Sequence, residues 1–103
     1  MVGRPSVPDI STHVLDGARG GPIEGVMVEV YDGDGLLVAT ATTDDRGRVE
    51  DLAQGLPCGD YRITWRPQGF LSEISATVPL SSERRYHLPL LVSGHSAVVY
   101  LGD

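Results

Sequence analysis

Apolar and polar positions alternate with a period of two along most of this chain, the pattern of strands that bury one face. Val26, Val28 and Val30 are the clearest case and predict a strand over 26–31 with its valines turned to a core. Tyr61, Ile63 and Trp65 alternate in the same way over 61–65, as do Tyr86, Leu88, Leu90 and Val92 over 85–92. Shorter runs over 10–15, 37–43, 48–52, 74–78 and 97–101 bring the expected strands to eight. Turn chemistry separates them: a Gly-rich segment over 16–22, the hairpin signal Asp32-Gly33-Asp34-Gly35, and Asp44-Asp45-Arg46-Gly47. No window of eleven or more residues carries a helical period.

Eight short strands at this spacing predict an all-β sandwich of two four-stranded sheets, mostly antiparallel. The 103 residues suffice for one domain and not for two. Residues 1–9 are polar, carry Pro5 and Pro8, and read as a flexible segment ahead of a domain over 10–103. So small a sandwich leaves strand edges bare, 97–101 among them, and Pro89 with Leu91 adds apolar surface on the face turned from the core. Both features predict association into at least a homodimer.

Charge and cysteine content remove several function classes. The net charge is −6, from 14 acidic and 8 basic residues, and the one basic cluster is Arg84-Arg85. No nucleic-acid partner is expected without a basic stripe. Cys58 is the single cysteine, so neither an intrachain disulfide nor a cysteine-based metal site is expected. It lies in a loop with no histidine near in sequence to activate it. Met1-Val2-Gly3-Arg4-Pro5 holds no apolar run, which predicts no signal peptide, no membrane partner and a cytoplasmic location.

Three segments resemble the transthyretin-like family. The first is Ser11-Thr12-His13-Val14-Leu15-Asp16 with Arg19-Gly20 and Pro22, the second Thr43-Asp44-Asp45-Arg46-Gly47-Arg48-Val49, and the third Tyr86-His87-Leu88-Pro89-Leu90-Leu91. The second also fits carboxypeptidase-regulatory-like and adhesin sandwich modules. The first and third resemble the 5-hydroxyisourate hydrolase branch in particular, since transthyretin, the hormone carrier, lacks those histidines. The resemblance implies an eight-stranded transthyretin-like sandwich and a homotetramer, a dimer of dimers with active sites in a channel between them. It implies ring opening of a cyclic product of urate oxidation, hence purine metabolism, with His13, Arg48 and His87 at the catalytic positions. No cofactor and no metal is implied.

That chemistry is reasonable on its own terms. Hydrolysis of a cyclic amide needs a water deprotonated, a carbonyl polarised and a leaving nitrogen protonated. Histidine suits proton transfer near neutral pH and contributes about 10²–10⁴-fold. A guanidinium can hold a planar, oxygen-rich ring and stabilise a developing oxyanion. Strand alternation turns His87 away from the core, with Arg85, Pro89 and Leu91, and gives His13 the parity of Ser11 and Leu15.

The chain also departs from the branch. The hydrolases end in Tyr-Arg-Gly-Ser, whereas this sequence ends in Tyr100-Leu101-Gly102-Asp103. The resemblance implies Leu101 and Asp103 as substrate-binding positions, each more negative than the residue it replaces. Such a site is expected to disfavour an anionic substrate and to raise the pKa of a nearby histidine. A helix-bearing segment of the hydrolases is reduced here to residues 66–73, and Gly94-His95-Ser96-Ala97 replaces a tyrosine-rich run. Three readings therefore stand: a 5-hydroxyisourate hydrolase; a member recruited to another small cyclic substrate, as hydrolase or cyclase, possible in specialised metabolism; and a non-catalytic ligand-binding sandwich.

Overall fold

The computed structural model describes residues 8–81 and 84–102. Among them lie nine strands: β1 (Asp9–Asp16), β2 (Gly21–Pro22), β3 (Met27–Tyr31), β4 (Leu37–Thr42), β5 (Arg48–Ala53), β6 (Gly59–Arg66), β7 (Ile74–Leu80), β8 (Arg85–Ser93) and β9 (Ser96–Val99). One sheet runs β2-β1-β8-β9 with β5 also paired to β1, and the other runs β4-β3-β6-β7. The described residues form no helix, and so none long and apolar enough to cross a membrane.

The fold is the predicted all-β sandwich, with nine strands in place of eight and a five-stranded sheet in place of one of the four-stranded pair. The additional strand is β2, only two residues long, which pairs Pro22 with Leu15 and Gly21 with Asp16. Two residues have no period, so alternation could not reveal it. The turn makes it: Asp16 Oδ1 accepts from the amides of Ala18 and Arg19, and the Gly20 amide donates to the Asp16 carbonyl. β1 begins at Asp9, one residue before the alternation starts. Pro8 is buried, its carbonyl accepts from the Leu56 amide, and Asp9 Oδ1 accepts from the Gly55 amide. The rest of the expected flexible segment, 1–7, lies outside the described residues, as does Asp103.

The inward faces close around Ile10, Val14, Val28, Val30, Ile63, Trp65, Leu80 and Leu90, each with no exposed surface. Burying a side chain of this size stabilises by about 1.5–3 kcal/mol. Tyr61, Ile63 and Trp65 are buried from β6, and Tyr86, Leu88 and Leu90 from β8, as alternation predicts. One polar relay crosses this core. Trp65 Nε1–H donates to Thr12 Oγ1 at 3.0 Å, and the Thr12 hydroxyl donates to the Leu88 carbonyl at 2.6 Å. It joins β6 of one sheet to β1 and β8 of the other. β1 and β8 are parallel, in register from Asp9↔Arg85 to Asp16↔Val92. On the other side of β1, the pairing with β5 slips through a bulge between Ile10↔Ala53 and Thr12↔Val49. Glu50, Asp51 and Leu52 thus span the position of Ser11 alone.

Candidate active site

Strand register assembles the site on the outer face of the five-stranded sheet. His13 of β1 stands opposite Arg48 on β5 and opposite Pro89 on β8. Two residues along β1, Ser11 stands opposite His87. Cross-strand partners project to the same side of a sheet, so His13, Arg48 and His87 share one face. The chain after β9 continues beside β8: the Tyr100 amide donates to the Pro89 carbonyl and the Gly102 amide to the His87 carbonyl, at 3.3 and 2.8 Å. This bridge sets Gly102 against His87. Leu101 is one position out of that register and is 54% exposed. Asp103 falls beyond the described residues.

Each side chain is held by local structure. His13 Nε2–H donates to the Arg46 carbonyl at 2.9 Å. Arg46 sits in the turn before β5, where Asp44 Oδ1 accepts from the amides of Arg46 and Arg48, both at 2.9 Å. These bonds hold the Asp44 carboxyl below the usual carboxylate range, the Arg48 amide being the chief cause. Gly47 closes the turn at φ 74°, a conformation that favours glycine, and its carbonyl accepts from the Val14 amide at 2.7 Å. A Cβ at Gly47 would run into the Val14 carbonyl oxygen. The turn thereby ties β1 to the start of β5 and presents Arg48 beside His13.

Arg48 is exposed and meets Glu50 at 3.4 Å, while Arg85 meets Glu50 at 3.9 Å and Asp51 at 3.4 Å. Exposed pairs of this kind contribute about 0–1 kcal/mol. They orient the guanidinium and leave it able to turn to a ligand. His87 is half-buried, and its Nδ1 lies 2.8 Å from Ser11 Oγ. Burial pushes its pKa down, and the charges of His13 and Arg48 push it further, against the opposing effect of Glu50. Among the described residues, burial and the charges of His13, Arg48 and Arg85 outweigh Glu50 at His87; Asp103, on which the expected rise of a nearby histidine rests, lies outside them.

His13, Arg46 and Arg48, with Leu15 and Pro22, line an open hollow of about 450 Å³. His87 is not on its wall and stands one register step farther along, past Pro89. His95 lies elsewhere, its ring 4.5 Å from that of Phe70. Cys58 is exposed and free. Among the described residues no group of His, Cys, Asp and Glu is placed to hold a metal ion. Reading by residue type passed over Ser11 and the Arg46 carbonyl. The shared parity of Ser11 and His13 was the one available signal, and a parallel partner cannot be read from it.

The sequence matches the HIUase/Transthyretin family over residues 10–102. The chain belongs to that family. The 5-hydroxyisourate hydrolase of Pseudomonas aeruginosa is 33% identical, with 98% of this chain and 97% of that protein aligned. The structure of Klebsiella pneumoniae 5-hydroxyisourate hydrolase superposes with a TM-score of 0.84 at 25% identity, over 93% of this chain and 99% of that one. (S)-allantoin synthase is similar too, with a TM-score of 0.83 and 26% identity over 95% of this chain but only 44% of its own. Within this HIUase/Transthyretin member, His13 and His87 lie on the two parallel strands β1 and β8, and Arg48 begins the strand on the far side of β1.

Proposed function

We propose that this protein is a hydrolase that opens a small cyclic amide of the 5-hydroxyisourate type, with His13 and His87 serving proton transfer and Arg48 holding the substrate's oxygens. The observation that carries this reading is the register that sets Arg48, His13 and His87 on one sheet face. The full-length similarity to a 5-hydroxyisourate hydrolase supports it. One imidazole takes a proton from water and passes it on to the leaving nitrogen, the other assists by hydrogen bonding, and the guanidinium stabilises the oxyanion formed between these steps. The lowered pKa of His87 favours its neutral ring near pH 7, which can donate a hydrogen bond to the substrate without carrying a charge. Leu101 and Asp103 belong to the substrate end of this site. The reading includes a homotetramer, a place in purine metabolism and a cytoplasmic location, with residues 10–103 as the domain.

The test is decay of freshly generated 5-hydroxyisourate, followed by absorbance. His13→Ala and His87→Ala should each lose about 10²-fold or more in turnover while remaining folded. Arg48→Gln should chiefly raise KM. Wild-type rates no faster than the uncatalysed decay would remove this substrate. A second reading, action on a less anionic ring, is favoured by Leu101, which offers no charge to an anion. Under it, Leu101→Arg with Asp103→Ser should raise turnover of 5-hydroxyisourate. Under the first reading, the wild type already turns it over at about 10 per second or faster.

A further inference from the structure

The two histidines are held by different kinds of partner, and the difference fixes which nitrogen of each ring is available. At His13 the partner is a main-chain carbonyl, which can only accept. Nε2 therefore carries the proton, and in the neutral ring Nδ1 keeps its lone pair. No other bond to the His13 ring occurs among the described residues.

At His87 the partner is the Ser11 hydroxyl, 2.8 Å from Nδ1. A hydroxyl can donate or accept, so its surroundings decide. Ser11 is only 3% exposed, and among the described residues its Oγ has no other bonded partner. If Oγ accepted from Nδ1–H, its own proton would be buried with nowhere to go, at about 1–3 kcal/mol. Donation to Nδ1 satisfies it. His87 then carries its proton on Nε2, which is unbonded among the described residues. Glu50, the carboxylate that acts on His87 among the described residues, is engaged by Arg48 and Arg85.

We propose that Ser11 is a positioning residue for His87, and that Ser11 and the Arg46 carbonyl together divide the labour of the pair: His13 offers Nδ1 as the base that takes and returns the proton, and neutral His87 offers Nε2–H as a hydrogen-bond donor to the developing oxyanion. This rests on the hydrolase reading above and adds to it the direction of proton flow. His13 Nδ1 takes a proton from the attacking water as the new C–O bond forms. His13 Nδ1–H returns that proton to the ring nitrogen as the C–N bond breaks, while neutral His87 keeps its own proton and donates an Nε2–H hydrogen bond to the carbonyl oxygen as negative charge develops there. The Ser11 hydroxyl keeps donating to Nδ1 throughout, because the His87 ring stays neutral.

The experiment uses ¹⁵N-labelled full-length protein as wild type, Ser11→Ala and Ser11→Thr. The ring-nitrogen resonances of His13 and His87 are recorded above their titration, and kcat and KM are measured on 5-hydroxyisourate. In the wild type both histidines should show protonated Nε2, with the His87 Nδ1 resonance shifted as a hydrogen-bond acceptor. Ser11→Ala should abolish that shift and lower kcat about 10- to 100-fold with KM within about twofold, and Ser11→Thr, which keeps the hydroxyl, should restore both. A wild-type His87 protonated on Nδ1, or a Ser11→Ala variant with unchanged ring signals or unchanged kcat, overturns the proposal. The wild-type spectrum decides on its own should Ser11→Ala not fold. If Ser11→Ala removes the ring signature and no form turns over 5-hydroxyisourate, the positioning stands and the hydrolase reading fails.

Discussion

His87 shows most directly how its neighbours set chemistry. Burial lowers its pKa first, then the charges of His13 and Arg48. Because the folded-state pKa is depressed, the stability tied to its neutral form is fully present above the unfolded value of about 6.5. It is lost as pH falls through the folded value. We expect an NMR titration of His87 with a midpoint below 6.5, raised in Arg48→Gln and lowered further in Glu50→Gln; a wild-type midpoint above 7 contradicts this. Gly102 offers a second residue-level test. A Cβ there would lie 3.1 Å from His87 Cδ2 and 3.2 Å from Pro89 Cγ. Such contacts are tighter than ordinary packing, so Gly102→Ala should push the ring off Ser11. Turnover should fall about tenfold, with little change in Tm, because the crowding is at the surface and no strand bond is removed.

The elements were legible in proportion to how local their causes are. The valines of β3 and the Tyr61, Ile63, Trp65 set of β6 announce their strands, because a half-buried strand imposes period two on its own sequence. The hairpin turn at Asp32–Gly35 and the turn at Asp44–Gly47, which carries the chain from β4 in one sheet to β5 in the other, were equally readable. The parallel β1–β8 pairing was not, since its partners lie 76 residues apart at Ser11 and His87, and period does not name a neighbour. The same holds for the bulge in β5. So His87's outward face could be read, whereas its meeting with Ser11 and the His13–Arg48 pair needed the register. The Thr12 relay ties β1, β8 and β6 together behind that register. Thr12→Val preserves shape but removes the hydroxyl that accepts from Trp65 Nε1–H and donates to the Leu88 carbonyl, which should cost about 1–3 kcal/mol in denaturant unfolding. Adding Trp65→Phe should recover part of this loss. Gly47→Ala should destabilise by about 1–3 kcal/mol or more, through its positive φ and the blocked Val14 carbonyl, and should weaken catalysis by moving Arg48.

For the whole molecule the open question in physical terms is what dries the site. In one chain, the hollow beside His13 and Arg48 faces solvent. In water a guanidinium holds an oxyanion weakly; in a low-dielectric channel the same charge counts several times more. Pro89, expected as apolar surface on the sheet face that carries the site, is instead buried beneath the chain after β9. That face also carries the half-buried Leu15 and Leu91 and continues across β9 to Val98 and Tyr100, which are 53% and 47% exposed. That is apolar surface of the kind a second copy covers. The proposed homotetramer therefore follows from the same face as the chemistry, and the two should fail together. Light scattering at micromolar concentration should give a tetramer for the wild type. Val98→Asp places a charge on the face without touching His13, Arg48, His87 or the Thr12 relay. It should give smaller species with an unchanged β-type circular dichroism spectrum and kcat/KM lower by about 10²-fold. Recovery of activity as the protein concentration is raised would tie the loss to assembly. A Val98→Asp protein that is monomeric and fully active would show that a single sandwich completes the site without a covering partner, and would refute the link between assembly and catalysis.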